Sequence, residues 1–358
     1  MVISSLNSVH PIACTGFLLL IIFSFIFYFL VPYTLFHYID SSILLKIYLN
    51  SFFLLGFYAF CQFAFSFFGI FLPGVTQYIF VLARGQAFAY EPSYYALYMV
   101  PFTLFYTTKF ILQDKSQRHL HQLIWPNILF LISTSTGCFF AYLIYFAHLV
   151  LFRLLKIIKL NLIPLFSKCA VALTAMLGAI WIINQKLITS GLLKFFFTGA
   201  SHGSVTTRWK GIIDYWNIFL ENPFFGVGLG AAPFYYALKE EGSLEGLLNS
   251  EILVKYCPTN AFTELLASLG LLGLIFFALF IFLLIQTFRS THKIIDLSIE
   301  ERINLIAMAV SLSVMFVVLQ FNQSITRPYL WVHVGIFVGY AQTLKIKYRK
   351  QTLTITGQ

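Results

Sequence analysis

The chain has 358 residues, of which 59% are hydrophobic and only 10% charged, with 42 Phe among them. Soluble globular domains carry about 45–50% apolar and about 25% charged residues, and a chain of this size still leaves roughly a quarter of its potential surface outside. That apolar surface needs lipid, which excludes an ordinary cytoplasmic enzyme, a disordered chain and a fibrous protein. The formal charge of +10 comes from 23 Lys and Arg against 13 Asp and Glu; in so apolar a chain it marks cytoplasmic loops, not a nucleic-acid partner.

A helix needs about 20 apolar residues to cross a bilayer. The sequence offers nine such stretches: residues 12–31, 43–68, 93–110, 120–134, 137–155, 169–189, 260–287, 303–321 and 329–344. The first ten residues contain no Lys or Arg and the run Ile12–Val31 is long, so it reads as a retained helix and not a cleaved signal. Residues 43–82 read as one span plus a re-entrant or interfacial segment around Leu72, Pro73 and Gly74; two spans there would make ten. Residues 120–155 read as two helices joined by a turn at Ser135–Gly137. The basic groups Lys109, Lys115 and Arg118 on one flank and Arg153, Lys156, Lys159 and Lys168 on the other then share the cytoplasmic side. Arg289, Lys293 and Arg302 continue the alternation, as do Lys345, Lys347, Arg349 and Lys350. The fold class predicted is an all-α polytopic membrane bundle of about nine or ten helices. Residues 1–189 hold the N-terminal helices, 190–258 form a long outer segment, and 259–358 hold the C-terminal helices and a cytoplasmic tail. The five Cys show no CxxC pair and no disulfide framework, so buried thiols are expected.

The outer segment collects six of the 13 acids: Asp214, Glu221, Glu240, Glu241, Glu245 and Glu251. A connector this long is usually functional or disordered. Arg208–Leu220 is predicted as an amphipathic helix on or near the membrane, with Ile212, Trp216 and Phe219 on one stripe. Pro223 ends it, and Gly226, Gly228 and Gly230 follow. Their amides could cradle a phosphate or sugar oxygen; alternatively the glycines let a lid fold tightly against the membrane helices. Arg84, Arg208 and Arg327 are expected at one membrane face. Arginine keeps its charge and offers a planar fork matched to phosphate oxygens; interfacial snorkelling is the other reading of each. Glu91 sits beside Arg84. Glu264, inside the start of the seventh span, reads as a catalytic base or, in preference, an anchor or a cap. His202, the one histidine of the outer segment, offers a base near neutrality, but a surface residue without a catalytic role is the preferred reading. No metal-ligand cluster and no Walker A sequence occurs, so neither a metal nor ATP is implied.

The succession RWKGIIDYW, ENPFFGVGLG and PTNAFTELLASLGLLG, from Arg208 to Gly273, resembles the signature region of the O-antigen ligases and the O-antigen or capsule repeat-unit polymerases. EPSYYALYM resembles a more N-terminal segment of the polymerases. These are polytopic glycosyltransferases of the bacterial inner membrane. The resemblance implies a type C glycosyltransferase-like bundle with its active site facing the periplasm. It implies metal-independent and cofactor-free transfer, with undecaprenyl-pyrophosphate-linked glycans as donor and acceptor. Membrane lipids, a chain-length regulator and a flippase are the partners implied. It assigns Arg208, Arg84 and Arg327 to the pyrophosphate, with Glu91 beside them in the catalytic group. Trp209, Glu221, Gly226, Gly228, Gly230, Glu251, Thr259, Asn260 and Glu264 are then substrate-binding candidates. The sequence departs from the pattern twice. Ligases carry His before the Asn that opens the seventh-span motif, where this chain has Thr259 and Asn260. The Arg of a Ser-Arg element is replaced by Thr136. The first departure favours a polymerase over a ligase that transfers glycan to lipid A core. A lipid-linked glycan transporter is the rival from another class, but such proteins favour internal repeats, and no clear repeat is present.

Overall fold

The computed structural model describes residues 8, 10–76, 78–79, 82–114, 116, 118–133, 135–158, 201–244, 252, 256, 258, 260–321 and 326–356. Helix starts follow local chemistry. The helix α1 (Pro11–Tyr38), π-wound over Ser24–Leu30, opens with Pro at its first position, and the His10 ring accepts from the Ala13 amide at 3.1 Å. Asp40 caps α2 (Ser41–Ser66), accepting from the Ser42 amide at 2.8 Å. Pro92 begins α3 (Pro92–Leu112). Then come α4 (Leu120–Leu131), α5 (Thr136–Leu154), α6 (Ser201–Glu221) and α7 (Ala232–Glu241). Asn260 caps α8 (Ala261–His292), and Ser298 and Glu301 form a reciprocal capping box on α9 (Ile299–Val318). Pro328 starts α10 (Pro328–Thr356).

Among the described residues the one sheet is a pair of antiparallel two-residue strands, β1 (Tyr78–Ile79) and β2 (Leu82–Ala83), pairing Tyr78 with Ala83 and Ile79 with Leu82. The protein is therefore a polytopic α-helical membrane protein: α1, α2, α8 and α9 are each long and apolar enough to cross a bilayer. Helices α3, α5 and α10 lie on further predicted spans. The predicted span 169–189 lies outside the described residues. The 120–155 region is indeed two helices. However, α4 has 12 residues, about 18 Å at 1.5 Å per residue, which is shorter than a hydrocarbon core of about 30 Å.

The bundle is centred on α3 packed against α9, with α4 and α5 on α3, and α5 also on α9. Tyr95, Met99, Leu104, Phe105, Met308, Val310 and Val314 belong to this core. Helix α10 packs along α1. The apolar part of α9 is 67% buried, whereas that of α8 is 22% and that of α1 11% buried. So α9 is interior, and α1 and α8 show much of their surface to lipid. A polar knot crosses the interior: the His333 ring lies 2.8 Å from the Tyr48 hydroxyl and 2.9 Å from the Ser311 hydroxyl, all three buried. A polar group in a membrane interior needs such partners.

After α2 the chain folds back on itself without helix, as expected for residues around Leu72–Gly74. Gln62, fully buried, donates to Pro73 O at 2.7 Å and Ala87 O at 3.0 Å, and accepts from the Ala87 amide at 2.8 Å. Buried Gln86 donates to Gly74 O and Ala89 O and accepts from the Thr76 amide. Irregular backbone is tolerated at membrane depth only when its polar groups are satisfied within the protein. Two side-chain amides provide that here.

Candidate functional site

One end of the bundle gathers five of the described candidates: Arg84, Glu91, Arg327, Asn260 and Glu264. Helices α3, α8 and α10 begin there, while α2, α4 and α9 end there. Helix α5 also begins there, just after α4 ends. Arg84 Nε donates to Ser133 O at 3.0 Å, and the Gly85 amide donates to Ile132 O at 3.0 Å. This holds Arg84 against the α4–α5 turn. The Arg327 guanidinium lies over the Tyr94 ring, 4.6 Å from its centroid, a cation–π contact. Tyr94 is three residues from Glu91, which precedes α3 and accepts from the Ser93 hydroxyl at 2.9 Å. Arg327 Nε is buried and has no hydrogen-bond partner among the described residues. The Tyr95 hydroxyl donates to Leu129 O at 2.7 Å, tying the start of α3 to the end of α4. The opposite end of the bundle joins Lys109 to Glu300 at 3.0 Å and Lys347 to Glu301 at 2.7 Å. The two sets of charges predicted on opposite faces are thus at opposite ends.

The start of α8 completes the group. Asn260 Oδ1 accepts from the Thr263 amide at 2.9 Å, and its Nδ2 donates to Gln320 O at 2.7 Å. Gln320 Oε1 accepts from the Phe262 amide at 2.9 Å. Asn260 therefore fastens the mouth of α8 to the end of α9, seven residues before Arg327. Glu264, buried one turn further in, belongs to the same mouth.

The glycine-rich stretch has a different task. Helix α8 is broken at Gly270, whose φ of +63° and ψ of −159° are non-helical. Around the break, freed groups of α8 pair with the loop after α6: the Val227 amide donates to Ala267 O at 2.9 Å, the Gly228 amide to Ser268 O at 3.0 Å, and the Leu271 amide to Pro223 O at 2.8 Å. A Cβ on Gly226 would stand 2.4 Å from Ser268 C, and one on Gly270 2.5 Å from Phe224 C. Gly230 lies against the Phe17 ring. The Val227 and Gly228 amides are thus engaged with α8, which fits the close-packing reading of the glycines.

The lid itself is α6 and α7. Glu221 accepts from Lys239 and from the Tyr235 hydroxyl, closing α6 onto α7. The hydrogen bond from Lys239 holds the Glu221 carboxyl below its usual range. Tyr215, Ile218 and Phe219 form the buried face of α6, and Trp209 and Trp216 are exposed. The predicted Ile212–Trp216–Phe219 stripe therefore straddles the boundary between the two faces. The side chains of Arg208 and His202 lie outside the described part of α6, as do Glu251 and Thr259.

Sequence reasoning missed Tyr94, Gln62, Gln86 and His333. For the last three the available signal was a polar side chain inside an apolar run. Among the described residues no three metal-ligating side chains come together.

Residues 123–278 match the family described as O-antigen ligase. The matched stretch is similar to that family over somewhat less than half of the chain. The match covers α4, α5, α6, α7 and the first half of α8, and so Arg208, the glycine loop, Asn260 and Glu264. Arg84, Glu91 and Arg327 lie outside it. No curated protein matches the chain.

Proposed function

We propose that the protein is a polymerase. It joins undecaprenyl-pyrophosphate-linked oligosaccharide repeats into O-antigen, capsule or exopolysaccharide at the periplasmic face of the bacterial inner membrane. The family match over residues 123–278 and the polytopic bundle support a role in lipid-linked glycan transfer. The observation that carries the more specific reading is the location of Arg84 and Arg327 at the bundle end that also holds Glu91, Asn260 and Glu264. In this reading a hydroxyl oxygen of one lipid-linked repeat attacks the anomeric carbon of the other chain. The new carbon–oxygen bond forms as the bond to the pyrophosphate breaks, the electron pair leaves with the pyrophosphate, and the hydroxyl proton passes to water or a carboxylate. Charge grows on the leaving group, and fixed arginines stabilise it more as it grows. Arg208, Arg84 and Arg327 hold the pyrophosphate. Glu91 and Glu251 orient the acceptor. Thr259, Asn260 and Glu264 shape the glycan site, with α6 and α7 as its cover. Glu221 and the glycines contribute by keeping that cover closed. A type C glycosyltransferase-like fold belongs to the same proposal, as do a chain-length regulator and a flippase as partners.

Thr259, where ligases have His, favours polymerisation over ligation. The test is deletion in the host, complementation with wild type, Arg208→Ala or Arg327→Ala, and separation of the surface glycan by length. Single repeats without long chains, restored by wild type and not by either variant, are expected. Loss of every attached repeat while lipid-linked polymer accumulates would establish ligation instead. Full-length polymer from Arg208→Ala would remove that residue from the pyrophosphate site.

A further inference from the structure

Helix α8 changes character at Gly270. From Ala261 to Gly270 only Phe262 is exposed, whereas Leu271, Leu272, Ile275, Phe276, Leu279, Phe282 and Leu283 are all exposed after the break. The helix has 32 residues, about 48 Å at 1.5 Å per residue, against a hydrocarbon core of about 30 Å. Its first ten residues account for about 15 Å of that surplus, and they are sheathed by protein. The break at Gly270 therefore marks the edge of the lipid-facing part of α8.

The loop after α6 docks at this edge, through Leu271 N–H to Pro223 O and Leu272 N–H to Phe224 O. Phe224 and Phe225 are exposed beside exposed Leu271 and Leu272. Backwards along α6 runs a stripe of exposed apolar side chains: Leu220, Trp216, Ile213 and Trp209, the two Trp being 43% and 64% exposed. At 100° per residue these four positions fall within an arc of about 60°, opposite the buried Tyr215 and Ile218. Trp is the side chain best suited to the boundary between hydrocarbon and headgroups.

We propose that Trp209, Ile213, Trp216 and Leu220 of α6, continued by Phe224 and Phe225, form a lipid-docking surface that seats the helix in the interfacial layer of the bilayer at the rim of α8. The occupant is the lipid leaflet, because the stripe is continuous with the lipid-facing side of a membrane span. Burial of a Trp-bearing apolar stripe at the interface is the usual way an amphipathic helix lies on a membrane. The inference rests on α8 crossing the bilayer and stands apart from the glycan-transfer reading.

The experiment uses the full-length protein in phosphatidylcholine vesicles. In one version all Trp except Trp216 are replaced by Phe, and in a second all except Trp209. Emission is quenched by lipids brominated near the headgroup end of the acyl chain, by lipids brominated near its terminus, or by aqueous iodide. The expected result is a larger loss of emission with shallow bromines than with deep bromines, and little loss with iodide. Dominant iodide quenching would overturn the proposal by leaving the stripe in water. Quenching by neither would overturn it by covering the stripe with another part of this chain or a second copy. The single replacements Trp209→Phe and Trp216→Phe in the otherwise wild-type protein give a second measurement. Each is expected to reduce the shallow-quenched share of the emission, and an unchanged share would count against the surface.

Discussion

Two stretches of irregular backbone lie against helices at the same end of this bundle, and they are satisfied in opposite ways. The segment after α2 is held by the side chains of Gln62 and Gln86, which reach backbone groups from Pro73 to Ala89. The loop after α6 is held by its own backbone, which pairs with α8 on both sides of Gly270. A side-chain tether spans several ångströms and tolerates ordinary residues around it. A backbone tether brings the two main chains together, and here they approach so closely that Gly226 and Gly270 leave no room for a Cβ. The difference teaches what a glycine motif means here: it records close approach between two chain segments before it records a ligand.

The sharpest way to break the comparison is at the seam. Gly270→Ala places a Cβ within 2.5 Å of Phe224 C at a φ of +63°. Strain in the left-handed region costs about 1–3 kcal/mol, and overpacking adds about 1–3 kcal/mol. A loss of roughly 2–6 kcal/mol is expected from these two effects, read as a fall in the thermal midpoint in detergent. Gly226→Ala attacks the other side of the same seam, where a Cβ would meet Ser268 C at 2.4 Å. The double variant should lose less than the two single losses combined, because one displaced loop relieves both contacts. Full additivity would mean that the two glycines act separately.

The next effect tests the side-chain tether. Gln62→Leu removes two donors and the acceptor at once, leaving Ala87 O and the amides of Gln86 and Ala87 without this partner, while Pro73 O keeps the Tyr58 hydroxyl at 3.0 Å. Each stranded buried group costs about 1–3 kcal/mol, but the segment can move to find water, so a total of roughly 2–4 kcal/mol is expected. Gln62→Glu sets a buried carboxyl against two carbonyl oxygens and should lose at least as much, while Gln62→Leu matching wild type would show that the segment is held by other contacts. Because β2 and Arg84 follow within this segment, a cleavage site between Gly69 and Pro73 should also become more accessible in Gln62→Leu.

The contrast also explains what could be read from the sequence. Most helices fall within the predicted apolar stretches because an apolar run is a continuous signal, whereas the local start signals, Pro at the first turn and Asp40, Asn260 and Ser298 as caps, were not used. Arg84 and Arg327 at one end, and Lys109 with Glu300 at the other, follow from alternation of charge across successive spans. The glycine loop announced a close approach without naming Ala267 and Ser268 as its partners. Gln62, Gln86, and His333 with Tyr48 and Ser311 were not legible, since their partners lie far along the chain and single polar residues leave no periodic pattern. The stacking of Arg327 on Tyr94 was hidden for the same reason. The short α4 escaped because an apolar run does not tell where a turn will end it.

The smallest expected effect concerns the closure of α6 onto α7. Glu221 accepts from Lys239 and Tyr235, and its carboxyl is held below the ordinary value of 4.5, chiefly by the hydrogen bond from Lys239. A carboxyl with a depressed folded-state value binds fewer protons folded than unfolded. Its contribution to stability is therefore complete above about 4.5 and is lost as pH falls through the lower folded value. The pair lies at the surface, so solvent and salt weaken it. Lys239→Met should lower the thermal midpoint slightly at neutral pH, and the difference from wild type should shrink as the medium is acidified below the ordinary carboxyl range. It should shrink again in about 1 M salt, where charges are screened within about 3 Å. A difference independent of both pH and salt would assign the role of Lys239 to the packing of its aliphatic stem, and the hinge between α6 and α7 would then be held by the apolar contacts of Tyr215, Ala231 and Ala232.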